Sequence, residues 1–116
     1  MEIKSFAAIS LLSLLTSACS TLPGNSRADW LLASDTKRLV FMASMTKAQK
    51  DCRSYKLIDT QATDSPTQQP GQMPSWHETW TVDACGTKVA VPVKFTKGRN
   101  GGTDMLIDSK GIKVVQ

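Results

Sequence analysis

Residues 76–95, WHETWTVDACGTKVAVPVKF, carry the pattern from which the rest of the chain is read. Trp76, Trp80 and Val82 alternate with His77, Thr79, Thr81 and Asp83, while Val89, Val91, Val93 and Phe95 alternate with Lys88, Ala90 and Lys94. A period of two marks strands with one covered and one wetted face. A two-residue loop at Cys85 and Gly86 joins them as an antiparallel hairpin and sets the register. Val82 then faces Val89, Trp80 faces Val91 and Trp76 faces Phe95, which puts both apolar sets on one side, and Asp83 faces Lys88 on the other. Two residues disturb the pattern. Pro92 has no N–H to give a ladder, which argues for a bulge or a local edge. Glu78 falls on the apolar face opposite Val93, where a carboxylate is costly unless paired or wetted; a bulge or a place at the rim of the sheet would turn it outward.

Downstream, GRNGG at 98–102 offers Asn100 and Gly101 for positive φ, and turns the chain into TDMLID. The register continues with Met105 opposite Phe95 and Ile107 opposite Val93. GIKVVQ, 111–116, is a candidate extra edge strand. Upstream, YKLIDTQ at 55–61 reads as a first strand, and TDSPTQQPGQMPS at 63–75 as a long flexible loop, since its prolines, glycine and polar residues exclude regular structure. Before these, Ser34 or Asp35 can cap a helix that runs to about Cys52, with Phe41, Met45, Ala48 and Cys52 on its apolar face beside Leu39 and Met42. The expected fold is α+β: one N-terminal helix packed on a small antiparallel sheet, a meander of about four strands.

The chain has three cysteines, an odd number that needs an explanation in an exported protein. The explanation lies at the start, MEIKSFAAISLLSLLTSACS, where one early cation, an apolar run of about ten residues and small residues before Cys19 follow the order of a secretory signal peptide. The run falls well short of the roughly 20 residues of a membrane-spanning helix.

Leu15, Thr16, Ser17, Ala18 and Cys19 resemble a bacterial lipobox, although the leucine sits one place further from the cysteine than in the commonest pattern. The resemblance covers only the leader and Cys19. It implies that 1–18 are removed as a signal peptide, that Cys19 carries diacylglycerol and a further acyl chain such as palmitate, and that Ser20 directs the protein to the outer membrane, facing the periplasm. The alternative is cleavage after Ala18 by an ordinary signal peptidase, giving a soluble periplasmic protein. Residues 19–33 would be the lipidated cysteine and its tether, STLPGNSR being rich in linker residues, and 34–116 a single domain.

Cys52 and Cys85 then remain as a pair for one disulfide in an oxidising compartment. Beside the first strand's start and the second strand's end, this bridge would tie the helix-to-strand junction to the hairpin tip. By the chain-entropy model such a loop contributes roughly 3 to 4 kcal/mol, a large share of the ~5–15 kcal/mol typical of a domain.

No reaction is legible. His77 is the single histidine, no serine sits in a nucleophile motif, and His77, Glu78 and Asp83 lack the spacing of a metal site. No cofactor is implied. With 14 lysines and arginines against 10 aspartates and glutamates but no basic run, nucleic acid is not an expected partner. Trp76 and Trp80 are read first as covering the helix and completing the core; two other uses of the Trp76, Glu78 and Trp80 strip are open: a platform that binds a glycan or a protein, as in an inhibitor-like module, or a general acid at Glu78 in a small envelope hydrolase. The leading expectation is a non-enzymatic, periplasm-facing lipoprotein domain, held to the membrane through its lipid anchor and acting as an interaction or accessory module in the cell envelope.

Overall fold

The computed structural model describes residues 22–115. The signal peptide, Cys19 and Ser20 lie outside the described residues. Helix α1, Trp30–Ser44, precedes β1, Tyr55–Ala62, β2, Ser75–Ala84, β3, Thr87–Lys97, β4, Thr103–Ile107, a 3-10 turn at Ser109–Gly111, and β5, Lys113–Val115. The strands form one antiparallel sheet in the order β1, β2, β3, β4, with β5 paired to β3. The fold is α+β, with a Cys52–Cys85 disulfide.

The hairpin register holds along the whole of β2 and β3: Trp76 faces Phe95, Glu78 faces Val93, Trp80 faces Val91, Val82 faces Val89 and Asp83 faces Lys88. Cys85 and Gly86 both have positive φ, the twist-matched form of a two-residue hairpin turn. Asp83 steadies the turn by accepting from the Gly86 N–H at 2.8 Å. In the next hairpin Met105 faces Phe95 and Ile107 faces Val93, as the alternation requires. There Gly101 takes positive φ and Asn100 does not.

Pro92 needs no bulge in the β2 ladder, which runs unbroken past it. The far edge of β3 is shared: β4 pairs with Val93–Lys97 and β5 with Lys88–Ala90. Pro92 sits in the gap between them, where its missing N–H interrupts no ladder and its carbonyl accepts from the Asp108 N–H at 3.1 Å. The irregular position falls in β1 instead, where the register shifts between Leu57 and Asp59. That strand still brings Tyr55 opposite Ala84. The Cα atoms of Cys52 and Cys85 are thereby placed 5.7 Å apart, and Ser54 accepts from the Cys85 N–H.

The helix differs from its sequence reading in start, end and face. Its cap is Asp29, whose carboxylate accepts from the Leu32 N–H at 2.9 Å, so Ser34 and Asp35 lie inside it. It stops at Ser44, because the hydroxyls of Ser44 and Thr46 bond back to the carbonyls of Phe41 and Ala43 and the chain continues in turns to Cys52. The buried stripe is Ala33, Thr36, Val40 and Ser44, at spacings of three, four and four. Of the residues expected on the apolar face, Phe41, Ala48 and Cys52 do pack against the core, whereas Met42 and Met45 are exposed, as is Leu39. Small residues on the inner stripe suit a helix laid over Trp76, Trp80 and Phe95, which already supply the bulk of the core.

The segment read as a tether is part of the fold from Leu22 onward. Leu22 and Ala28 pack on the core, and the Asn25 N–H donates to the Thr60 carbonyl at 2.9 Å. Thr60 also donates through its hydroxyl to the Pro23 carbonyl at 2.6 Å, while Asn25 Oδ1 accepts from the Ala62 N–H. Gly24 passes so close to Thr60 that a Cβ would overlap its carbonyl oxygen, and its φ is +84°.

Thr36 is fully buried, and its hydroxyl has no hydrogen-bond partner among the described residues. Thr36→Val keeps shape and β-branching while removing that unmet polar group. The expected gain is about 1 kcal/mol, a thermal midpoint rise of roughly 4–8 °C for a domain of this size. Calorimetry showing no rise would mean the hydroxyl is satisfied.

Candidate functional site

Trp76, Glu78 and Trp80 are two residues apart in turn, so β2 presents all three on the covered face of the sheet. Trp76 is 4% exposed, Glu78 1% and Trp80 0%. The expectation that a bulge or rim position turns Glu78 outward is therefore corrected. The carboxylate stays inside because its neighbours are matched to it. The Trp76 indole N–H donates to Oε2 and the Trp80 indole N–H to Oε1, each at 2.8 Å. Two more donors come from the segment ahead of α1: the Ser26 hydroxyl donates to Oε1 at 2.6 Å, and the Arg27 backbone N–H to Oε2 at 2.8 Å. Ser26 Oγ accepts in turn from the Ala28 N–H.

Every group around Glu78 is thus a donor, which suits an acceptor-only carboxylate. No lysine or arginine side chain pairs with it among the described residues. Hydrogen bonds to a charged group contribute about 1.5–3 kcal/mol each, so four of them offset much of the cost of burial. The tryptophans are used twice, since Trp76 also stacks on Phe95 with ring centroids 5.1 Å apart.

This arrangement changes what the strip can do. A glycan platform needs exposed indole faces, and those of Trp76 and Trp80 are in the core. A general acid needs a path to substrate, and both oxygens of Glu78 are engaged behind the 22–28 segment. The strip works as a clasp between the sheet and that segment. Ser26 and Arg27 were not legible as partners of Glu78, because they are some fifty residues away in sequence and one of them acts through its backbone.

His77, on the opposite face, is exposed as expected, but it has a partner that its spacing did not reveal. Asp64 Oδ2 lies 2.8 Å from His77 Nδ1, and Asp64 Oδ1 accepts from the His77 N–H at 2.6 Å. The backbone hydrogen bond from His77, then its ring, hold the Asp64 carboxyl below its ordinary value. The contact closes one end of the 63–75 loop, whose other part is tied by Thr67 bridging Ser75. Among the described residues no three of His, Cys, Asp and Glu gather as a metal site.

The surface feature nearest the clasp is a groove of about 520 Å³ between the 22–28 segment, the first half of α1 and Leu57 of β1. Leu22, Pro23, Trp30 and Lys37 line it. Trp30, the one tryptophan of the three that lies outside β2, is 81% exposed. No described helix is long and apolar enough to cross a membrane. No family model matches the chain, and no match is found among curated proteins or solved structures.

Two outcomes follow. Glu78→Gln turns one donor-accepting oxygen into an amide NH2 facing the indole and backbone N–H groups, so unfolding stability should fall by at least about 2 kcal/mol. A loss below about 0.5 kcal/mol in denaturant titration, the size of an ordinary surface change, would sink the clasp. For Asp64, a carboxyl lowered in the folded state contributes stability that is present at neutral pH and lost as pH falls through and below its ordinary value of 3.8. Asp64→Asn should therefore differ in stability from the wild type at neutral pH, with the difference shrinking in acid; an unchanging difference would show that the ionised group does not matter.

Proposed function

We propose that this protein is a lipid-anchored, periplasm-facing domain of the outer membrane, a non-enzymatic interaction or accessory module of the cell envelope. The lipobox-like residues ending at Cys19 carry the anchoring, and Ser20 the destination. The removal of Cys19 by lipidation leaves an even pair of cysteines, and the Cys52–Cys85 disulfide fits an oxidising compartment.

The observation that carries the non-enzymatic part is the engagement of Glu78. The residue best placed for acid chemistry holds four donors and has almost no exposure, so its chemistry is spent on attaching the N-terminal segment. With that segment built into the fold from Leu22, the domain is carried close to its anchor instead of on a long leash.

The test is the intact mass of the protein purified from its host's membranes, before and after reduction with alkylation. The expected mass lacks residues 1–18, carries diacylglycerol and acyl chains, and gains two alkyl groups only after reduction. A mass without lipid would defeat the anchoring, and thiols labelled without reduction would defeat the disulfide in the cell.

A further inference from the structure

The exposed side of α1 is unlike the outside of an ordinary surface helix. Leu31, Arg38, Met42 and Met45, at spacings of seven, four and three, share the side opposite the buried stripe. Leu31 is 58% exposed, Met42 59% and Met45 57%. Trp30 and Lys37, on the adjoining side, overhang the groove. Between residues 27 and 53 the chain carries six cations, Arg27, Lys37, Arg38, Lys47, Lys50 and Arg53, against three carboxylates, Asp29, Asp35 and Asp51. Asp29 is occupied as the helix cap. Within α1 itself the cations are Lys37 and Arg38, with Asp35 beside Arg38 on the same side, and the other four cations flank the helix; large exposed apolar groups with cations among and around them fit an element that lies in a membrane interface.

Covalent geometry says what covers this side. Leu22 packs on the core between α1 and the sheet and lines the groove with Trp30 and Lys37. Only Ser20 and Thr21 separate Leu22 from Cys19, and the three Cα–Cα steps, fully extended, span at most about 11 Å. A lipid on Cys19 therefore brings the bilayer to the groove and the start of α1. Lys88 and Lys94 are on the opposite face of the sheet from the core on which Leu22 packs.

We infer that the exposed side of α1, with Trp30 and Leu31 nearest the anchor and Lys37 and Arg38 beside them, docks on the anionic phospholipid surface that holds Cys19. The inference rests on the lipid-anchored reading above. Tryptophan is suited to this depth, its ring apolar and its N–H polar. Lysine and arginine bury their stems while their charges reach headgroup phosphates. The domain is then held in one orientation, helix down and open sheet face toward the periplasm.

The experiment uses the mature protein, its mass checked, reconstituted in vesicles of phosphatidylethanolamine and phosphatidylglycerol with and without bromine on the acyl chains. Trp76 and Trp80 are shielded inside the fold, so bromine should remove emission from Trp30 alone, and Trp30→Phe should abolish the bromine-dependent loss. Leu31→Glu together with Met42→Glu, both at exposed positions, should reduce the loss while leaving circular dichroism unchanged. Emission from Trp30 that bromine does not touch, and that an aqueous quencher reaches equally with and without the bilayer, overturns the docking while the lipidated mass leaves the anchor standing. A mass without lipid overturns the anchor and the docking together. Protection of Trp30 in detergent that grows with protein concentration assigns the surface to a second copy of the chain and also overturns it.

Discussion

Glu78 must have donors. A carboxylate placed in the covered face of a sheet by strand alternation has no water to turn to, and its own strand supplies only the two flanking indoles. The remaining two bonds come from the chain ahead of the helix, so the carboxylate is satisfied only when residues 26 and 27 lie across the sheet. Their placement in turn fixes the rest of the segment. Thr60 holds Pro23, Asn25 and Ser26, Gly24 passes where no side chain fits, and Asp29 arrives where it can cap α1.

The segment also answers the problem of an exposed edge. β1 ends one side of the sheet, and a bare row of N–H and C=O groups invites pairing with another chain. Asn25 takes up the Thr60 carbonyl and the Ala62 N–H, and the register shift after Leu57 bends the strand. The other side is blunted by division, since β4 and β5 each cover part of β3 and Pro92 fills the interval. The disulfide fastens the remaining corner, where the chain leaves the helical turns and meets the hairpin tip.

The tryptophans of β2 are interior and build the clasp, and the tryptophan at the surface is Trp30. Among the described residues, the helix side combines large exposed apolar groups, Trp30, Leu31, Met42 and Met45, with the segment that leads back to Cys19. In a domain whose N-terminal segment is bound down from Leu22, attachment of that terminus to a membrane becomes a statement about orientation as well as location.

The hairpin, its register, the pairing of β4 with Phe95 and Val93, and the partnership of Cys52 with Cys85 were determined by the sequence itself. They depend on interactions whose rules are local: a period of two, a two-residue turn, and the proximity that antiparallel pairing forces on strand ends. The same alternation marked Glu78 as out of place on the apolar face. Only the tertiary structure decided how Glu78 is accommodated, because the Ser26 hydroxyl and the Arg27 N–H become neighbours through folding and leave no periodic trace. The helix face was legible only in part, through Phe41, Ala48 and Cys52, for a related reason. Ala33, Thr36 and Ser44 are inside because they are small enough to approach a sheet already filled by tryptophan and phenylalanine, whereas hydrophobicity alone points to Met42 and Met45, which the fold leaves in the open.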